Sequence, residues 1–335
     1  MIKKGKASII FENVFLKAAS SISGPLESEG PLEEYLDDYY DNLHCNQENW
    51  EKAEMQLMKD AINLALMKAK LSVSEIDCVF AGDLNNQIAI ANYVMRDYKI
   101  PYIGLYGACS TSTLSLITGA TFLEAGFGKN VLCVTSSHNA TSERQFRYPT
   151  EYGGQKPITM TSTVTGSGAG LLTKEKTNIQ LTKATIGTIY DANFTDSLDM
   201  GRAMAPAAAM TLKTHLEDFN AKVDDYDLIL TGDLSKYGSE TMKKILEEFN
   251  FILSNNFNDC GLLIYDITKQ PVIAGGSGCA SAALVTFGYV YKELLKGNLN
   301  KVLIIATGAL HNPITIAQKE SIPGIAHAIV FERVK

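Results

Sequence analysis

The sequence predicts an α/β fold built from two similar halves, and three observations predict it. Short apolar strands alternate with longer helical patterns, an order that gives mostly parallel strands with helices over the sheet faces. Segments of the first half return in the second in the same order. Two stretches carry no charge at all, Ile100 to Leu123 (24 residues) and Gln270 to Tyr291 (22 residues), so each reads as a strand, a Gly-rich turn and a helix hidden on all sides. With 335 residues the chain also exceeds the roughly 250 to 300 at which a single core stops growing.

The duplication rests on three matches. Asp77-Cys-Val-Phe-Ala-Gly-Asp-Leu84 returns as Asp227-Leu-Ile-Leu-Thr-Gly-Asp-Leu234, an acidic start, an apolar strand and Gly-Asp-Leu. Gly107-Ala-Cys-Ser-Thr-Ser112 has its counterpart in Gly276-Ser-Gly-Cys-Ala-Ser281, each opening an uncharged helix. Gly126 to Leu132 then matches Gly297 to Leu303, a helix end followed by a strand. A fixed order of shared segments means one supersecondary unit used twice. The halves are placed at residues 1–175 and 176–335.

The helix from about Gln47 to Lys70 illustrates the covering layer. Trp50, Ala53, Leu57, Ala61 and Leu64 form an apolar stripe at helical spacing, with Glu51, Lys52, Lys59 and Lys68 elsewhere. Ser72 and Glu75 offer a capping box before the strand at Cys78.

Composition excludes several function classes. Thirty Lys plus Arg against 37 Asp plus Glu gives a net charge of -7, which argues against a general nucleic-acid binder. The six cysteines show no C-x-x-C and no secretory spacing, which points away from zinc and disulfides and toward a reducing compartment. The N-terminus lacks the apolar core of a signal peptide. Pro101 and Pro271, with several glycines, argue against reading the uncharged stretches as membrane spans. Seven acidic residues between Glu27 and Asp41 read as a solvated face, because their spacing does not match a calcium loop.

Cys109 is the candidate for chemistry. It sits between the strand Ile100 to Leu105 and a helix starting near Ser110, with Gly107 and Ala108 allowing a tight elbow. The helix dipole and free N–H groups there favour a thiolate, and an elbow exposes the sulfur to a pocket. Asp83 and Asp233, related by the repeat, read as caps of neighbouring helices or as a lip of that pocket.

A duplicated α/β unit with Gly-Ala-Cys-Ser-Thr-Ser at its first buried helix resembles the thiolase superfamily, especially its ketoacyl synthase III-like members. Within it, His44-Cys-Asn-Gln47, the run Ser136 to Pro157, Ala203 to Ala209 and Ala326 to Arg333 are similar to the stage V sporulation protein AD family of spore-forming bacteria. The resemblance implies a five-layer αβαβα thiolase-like fold with mostly parallel mixed sheets, and a homodimer. Condensing enzymes of the superfamily use a Cys, a His and an Asn or second His. Where the resemblance places the first histidine this chain has Gly232-Asp233-Leu234, and where it places the asparagine it has Gly276-Ser277-Gly278. A thiol without a base or oxyanion donors loses what makes acyl transfer fast. The expectation is a pocket without condensing chemistry, with no catalytic residue and Cys109 vestigial.

The resemblance further implies a ligand, dipicolinic acid (pyridine-2,6-dicarboxylate), free or as its calcium chelate, with no other cofactor and no protein-held metal. It implies a place in the spore uptake and release apparatus of sporulation and germination, peripheral to the spore inner membrane through channel proteins of the same operon. A planar dianion calls for converging cations, arginine above all. Arg144, Arg147 and Lys156 follow His138 closely in a segment with Phe146, Tyr148 and Tyr152, whose rings suit a pyridine. The expected ligand-binding set is therefore Cys109, His138, Arg144, Arg147, Lys156, Asp83, Asp233 and Ser277. Two alternatives stay open: a cysteine-dependent acyltransferase or condensing enzyme, and a scaffold with a vestigial pocket.

Overall fold

The structure is a computed structural model of the chain and describes residues 2–147 and 155–334. Setting aside short edge pieces, the first half runs β1 (Phe15–Ser23), α1 (Trp50–Ala69), β2 (Cys78–Gly82), α2 (Ala89–Tyr98), β3 (Tyr102–Gly104), α3 (Thr111–Glu124), β4 (Asn130–Ser137), α4 (Asn139–Phe146) and β5 (Gly166–Thr173). The second runs β6 (Ile179–Thr185), α5 (Met200–Phe219), β7 (Leu228–Thr231), α6 (Ser235–Glu248), β8 (Phe257–Asp259), α7 (Cys279–Leu284), β9 (Lys301–Ala309) and β10 (Gly324–Arg333). Helix α7 continues through a π-helical turn, Val285–Val290, to Lys296.

The strand order is β8-β7-β9-β10-β6-β1-β5-β4-β2-β3, which reads the same from both ends once the repeat is applied. In each half the second strand of the unit pairs in parallel with two neighbours, β2 with β3 and β4, and β7 with β8 and β9. The strands nearer the centre, β4-β5-β1 and β9-β10-β6, pair antiparallel. The halves meet where Phe15 of β1 faces Gln180 of β6.

The repeated acidic residues have a common structural job. Asp77 accepts from Lys129 and Asn130 N–H at 2.7 and 2.9 Å, and Asp227 accepts from Asn300 and Lys301 N–H at 2.6 and 2.9 Å. Each fixes the entry of the neighbouring parallel strand.

Strand periodicity sorts the apolar residues into layers. Cys78 and Phe80 of β2 enter a central core with Leu116 and Ile117 of α3, Ala280 and Leu284 of α7, and Ile304 and Ile329 of the other half. Val79 and Ala81 turn outward onto Ala53, Leu57 and Ala61 of α1. On the far side, Leu303 and Ile305 turn onto Ala205, Ala208 and Leu212 of α5. Two outer helix layers, the two halves of the continuous sheet and the shared pair α3 and α7 make five layers. Among the described residues no helix is long and apolar enough to cross a membrane.

Helix α1 starts at Asn49, whose side chain accepts from Lys52 N–H at 2.9 Å, and the Ser72–Glu75 capping box forms. The acidic segment departs from the solvated reading at Glu27, which is buried and accepts from Thr165 N–H and the Tyr265 hydroxyl.

Candidate functional site

The two buried helices begin side by side, each behind an elbow with left-handed backbone: Ala108 at φ 49° before Cys109, and Gly278 at φ 96° before Cys279. The repeat therefore aligns one residue later here than the sequence match suggests. Hydroxyls hold the first elbow: Ser110 donates to Gly107 O and Thr111 to Ala108 O, both at 2.6 Å. Across the pair, the Cys279 thiol donates to Ala108 O at 3.2 Å. The elbow lies tight against β9, since a Cβ on Gly308 would fall 2.4 Å from Gly107 O.

A narrow cleft of about 30 Å³, room for about two waters, opens at this point and includes Cys109, Ser142, Arg147, Ser277 and His311 in its walls. It shares Tyr106, Phe146 and His311 with an outer vestibule of about 420 Å³, walled otherwise largely by amide side chains such as Asn86, Gln87 and Asn312. Among the described residues, ten buried side-chain polar atoms lack a hydrogen-bond partner, and four of them line the cleft: Ser142 Oγ, Arg147 Nε, Ser277 Oγ and His311 Nδ1. Buried polar groups are ordinarily satisfied. Ser142, Arg147 and Ser277 provide donors for an anionic or strongly polar group, and His311 Nδ1, whose ring donates from Nε2 to Met200 Sδ, adds an acceptor.

The electrostatics are unlike those of a reactive cysteine. Burial, and after it the negative charge of Asp233, hold the Cys109 thiol well above its ordinary range. The thiolate expected from the helix start is thereby overturned, because the sulfur is buried and a carboxylate, not a cation, faces it. Asp233 accepts from Gly278 N–H at 3.0 Å and from the Thr307 hydroxyl at 2.5 Å, and it faces the Cys109 thiol. Burial raises it to about 6. The next helix, α6, is held instead by Asp259, which accepts from Leu234 and Ser235 N–H, each at 2.9 Å.

Of the expected ligand-binding residues, the structure brings Cys109, Arg147 and Ser277 into the cleft and sets Asp233 directly beneath it. Asp83 instead accepts from Asn85 and Ala91 N–H, both at 2.8 Å, holding the turn into α2. His138 is spent structurally: Nδ1 accepts from Ala140 N–H at 3.1 Å as the cap of α4, and Nε2 donates to Leu43 O at 2.7 Å. Arg144 lies on α4 and Arg147 just past its C-terminal end. Ser142 and Phe146, four apart on α4, face the cleft, whereas Arg144 points away, pairing with Glu51 and covering the Trp50 ring at 5.7 Å. Lys156 is exposed and outside the cleft wall. Tyr148 and Tyr152 lie outside the described residues.

Arg147 is almost fully buried, with its guanidinium on Glu143 and on the Thr161 hydroxyl at 3.2 Å, leaving Nε toward the cleft. His311 was missed as a site residue. Its Nε2 meets Met200 Sδ at 3.4 Å, and its ring packs edge-on against Phe146 at 5.6 Å. Burial, and next the charge of Arg147, lower it to about 4, so it is neutral at physiological pH. The signal for it was its place just beyond β9, equivalent to that of His138 beyond β4.

Known proteins give the fold and the lineage. The family described as Stage V sporulation protein AD (SpoVAD) matches residues 5–332. A stage V sporulation protein AD of Bacillus subtilis (strain 168) is 54% identical over 330 residues, covering 98% of this chain and 97% of that protein. Among solved structures, cerulenin-bound OleA of Xanthomonas campestris (14% identity, TM-score 0.63) covers 98% of this chain and 99% of its own. Human mitochondrial 3-ketoacyl-CoA thiolase (13%, TM-score 0.60) covers 98% and 100%, and the 3-oxoacyl-[acyl-carrier-protein] synthase III of Aquifex aeolicus VF5 (13%, TM-score 0.57) covers 97% and 99%. At these identities the likeness is one of fold.

Proposed function

Because the chain belongs to the stage V sporulation protein AD family, we propose that it serves sporulation as a binding protein for a small planar dicarboxylate, dipicolinic acid, free or as its calcium chelate, and not as a condensing enzyme. The observation that carries this reading is the set of four unpartnered buried polar atoms converging on one cleft. One carboxylate placed in the cleft would take donors from Arg147, Ser142 and Ser277, as a charge-assisted contact requires. The ring and second carboxylate then occupy the vestibule between Tyr106 and Phe146.

Against condensation stands the pairing of the elbow thiol with Asp233. A nucleophile needs a partner that removes its proton, and burial beside a carboxylate raises the thiol's hold on it instead. The Gly276-Ser277-Gly278 turn, near which the resemblance places the superfamily's asparagine, supplies a hydroxyl in place of an amide.

The reading places the protein peripherally at the spore inner membrane through partner proteins, as a homodimer. The free edge of β3 supports the second copy: Ile103 and Phe127 are exposed there beside an apolar groove that also includes Phe122 and Ile186. The deciding experiment is calorimetry with dipicolinate, with and without calcium, alongside intact mass after incubation with acetyl-CoA. Binding heat without an acetyl adduct supports the proposal; a stable adduct on Cys109 supports an acyltransferase.

A further inference from the structure

Beneath the cleft lies a buried acid that nothing above uses. Glu54 projects from α1 into the interior, where Oε1 accepts from the Ser136 hydroxyl at 2.9 Å, and Oε2 accepts from the Thr141 hydroxyl at 2.9 Å and Asn85 Nδ2 at 3.0 Å. The three donors come from three separate segments: the end of β4, helix α4 and the turn after β2. Each adjoins the site. Asn85 lines the vestibule and follows the cleft residue Leu84, while Thr141 precedes the cleft residue Ser142. Ser136 precedes Ser137, whose hydroxyl accepts the Ala280 N–H at the start of α7 at 3.1 Å.

We propose that Glu54 is a positioning residue of the cleft, holding three of its supports by hydrogen bonds, and that the Glu54–Asp83 pair takes up a proton when a dianion binds. The inference rests on the dicarboxylate reading of the site. Two carboxyls buried close together cannot both ionise freely, so the pair loses its protons in separate steps. The two acids share Asn85, whose N–H donates to Asp83 and whose side-chain amide donates to Glu54, and burial, with the charge of Asp83 next for Glu54, raises both above the ordinary carboxylate range.

The groups that sense the pair include the Cys279 thiol on α7, Tyr102 on β3 and Tyr106 beyond it, all raised chiefly by burial, and Cys279 also faces Asp233, the other buried acid, which ionises in a similar range. A dianion entering on the far side of the Leu84–Asn85 turn adds negative charge and raises the proton affinity of the pair. By linkage, affinity must then fall as pH rises through the range in which the pair ionises.

The test is calorimetry of dipicolinate binding at about pH 6 and about pH 8, in two buffers of different ionisation enthalpy, which reads proton uptake directly. For the intact protein, proton uptake and an affinity loss of about three- to tenfold are expected, tenfold per pH unit being the ceiling for one linked proton. In Glu54→Gln, which keeps the shape but replaces one acceptor oxygen by an amide N–H2, affinity falls at both pH values and the remaining binding shows neither effect. Asp233→Asn keeps them, separating this pair from the other acid near the cleft. Binding with equal affinity at both pH values and no proton uptake overturns the linkage alone; absence of dipicolinate heat at either pH overturns the ligand reading and the linkage with it.

Discussion

Cys109 and Asp233 form a buried thiol–carboxylate pair at the point where the two halves of the molecule meet. Each residue comes from a different half, and the Gly278 N–H of the second elbow closes the arrangement on Asp233 at 3.0 Å. The charge facing the sulfur is negative, the reverse of what favours a thiolate.

That reversal predicts a sluggish thiol. Alkylation of Cys109 by iodoacetamide, followed by peptide mass mapping, should run far behind that of an unperturbed thiol at the same pH. Asp233→Asn removes the opposing charge and should speed it by about tenfold, the change expected for a shift of about one pK unit. Equal rates in both proteins would show that Asp233 does not govern the sulfur.

Arg147 and Arg144 should behave oppositely. Arg147→Ala strands the buried Glu143 carboxylate, so a stability loss of about 3 kcal/mol is expected together with loss of ligand binding. In Glu143→Ala/Arg147→Ala stability should largely recover while binding does not. Arg144 sits in a half-exposed ion pair with Glu51, so Arg144→Ala should change stability by less than about 1 kcal/mol and leave affinity intact. Urea unfolding and calorimetry on the three variants check this.

Glu27 predicts a pH-dependent stability difference. Burial raises its carboxyl to about 7, above the ordinary 4.5. A raised acid contributes stability that is complete below its unfolded value and is lost as pH rises through the folded one. Relative to wild type, Glu27→Gln should therefore gain about 2 kcal/mol between about pH 5 and about pH 8 in urea titrations. A difference that does not change with pH would mean Glu27 is ionised throughout.

The free edge at β3 predicts self-association. Ile103→Lys or Phe127→Asp places a charge in the apolar groove and should shift the protein to monomer in sedimentation velocity without lowering its melting temperature. An unchanged sedimentation coefficient would place any self-association elsewhere.

Much of the fold was legible because its signals are local and periodic. The uncharged helices and the stripe on α1 follow from one element's burial on one or both faces, and the repeated Asp77 and Asp227 from the N–H groups each accepts at the entry of the next strand. The site was less legible, because it depends on where helix α4 turns each side chain. His138 and His311 hold equivalent places, yet α4 begins immediately after the first and consumes both its nitrogens, leaving the second to reach the cleft. Arg144 and Arg147 are three residues apart in sequence and are placed on opposite errands by the end of the same helix. Asp233 looked like a helix cap, and Asp259, brought in by a neighbouring strand, took that role instead.

The most direct test of the account is a crystal structure of the protein soaked with dipicolinate. The account predicts a planar ligand with one carboxylate among Arg147, Ser142 and Ser277, its ring between Tyr106 and Phe146, and the Cys109 sulfur unmodified. A ligand bound elsewhere on the surface, or an empty cleft at saturating dipicolinate, would contradict it.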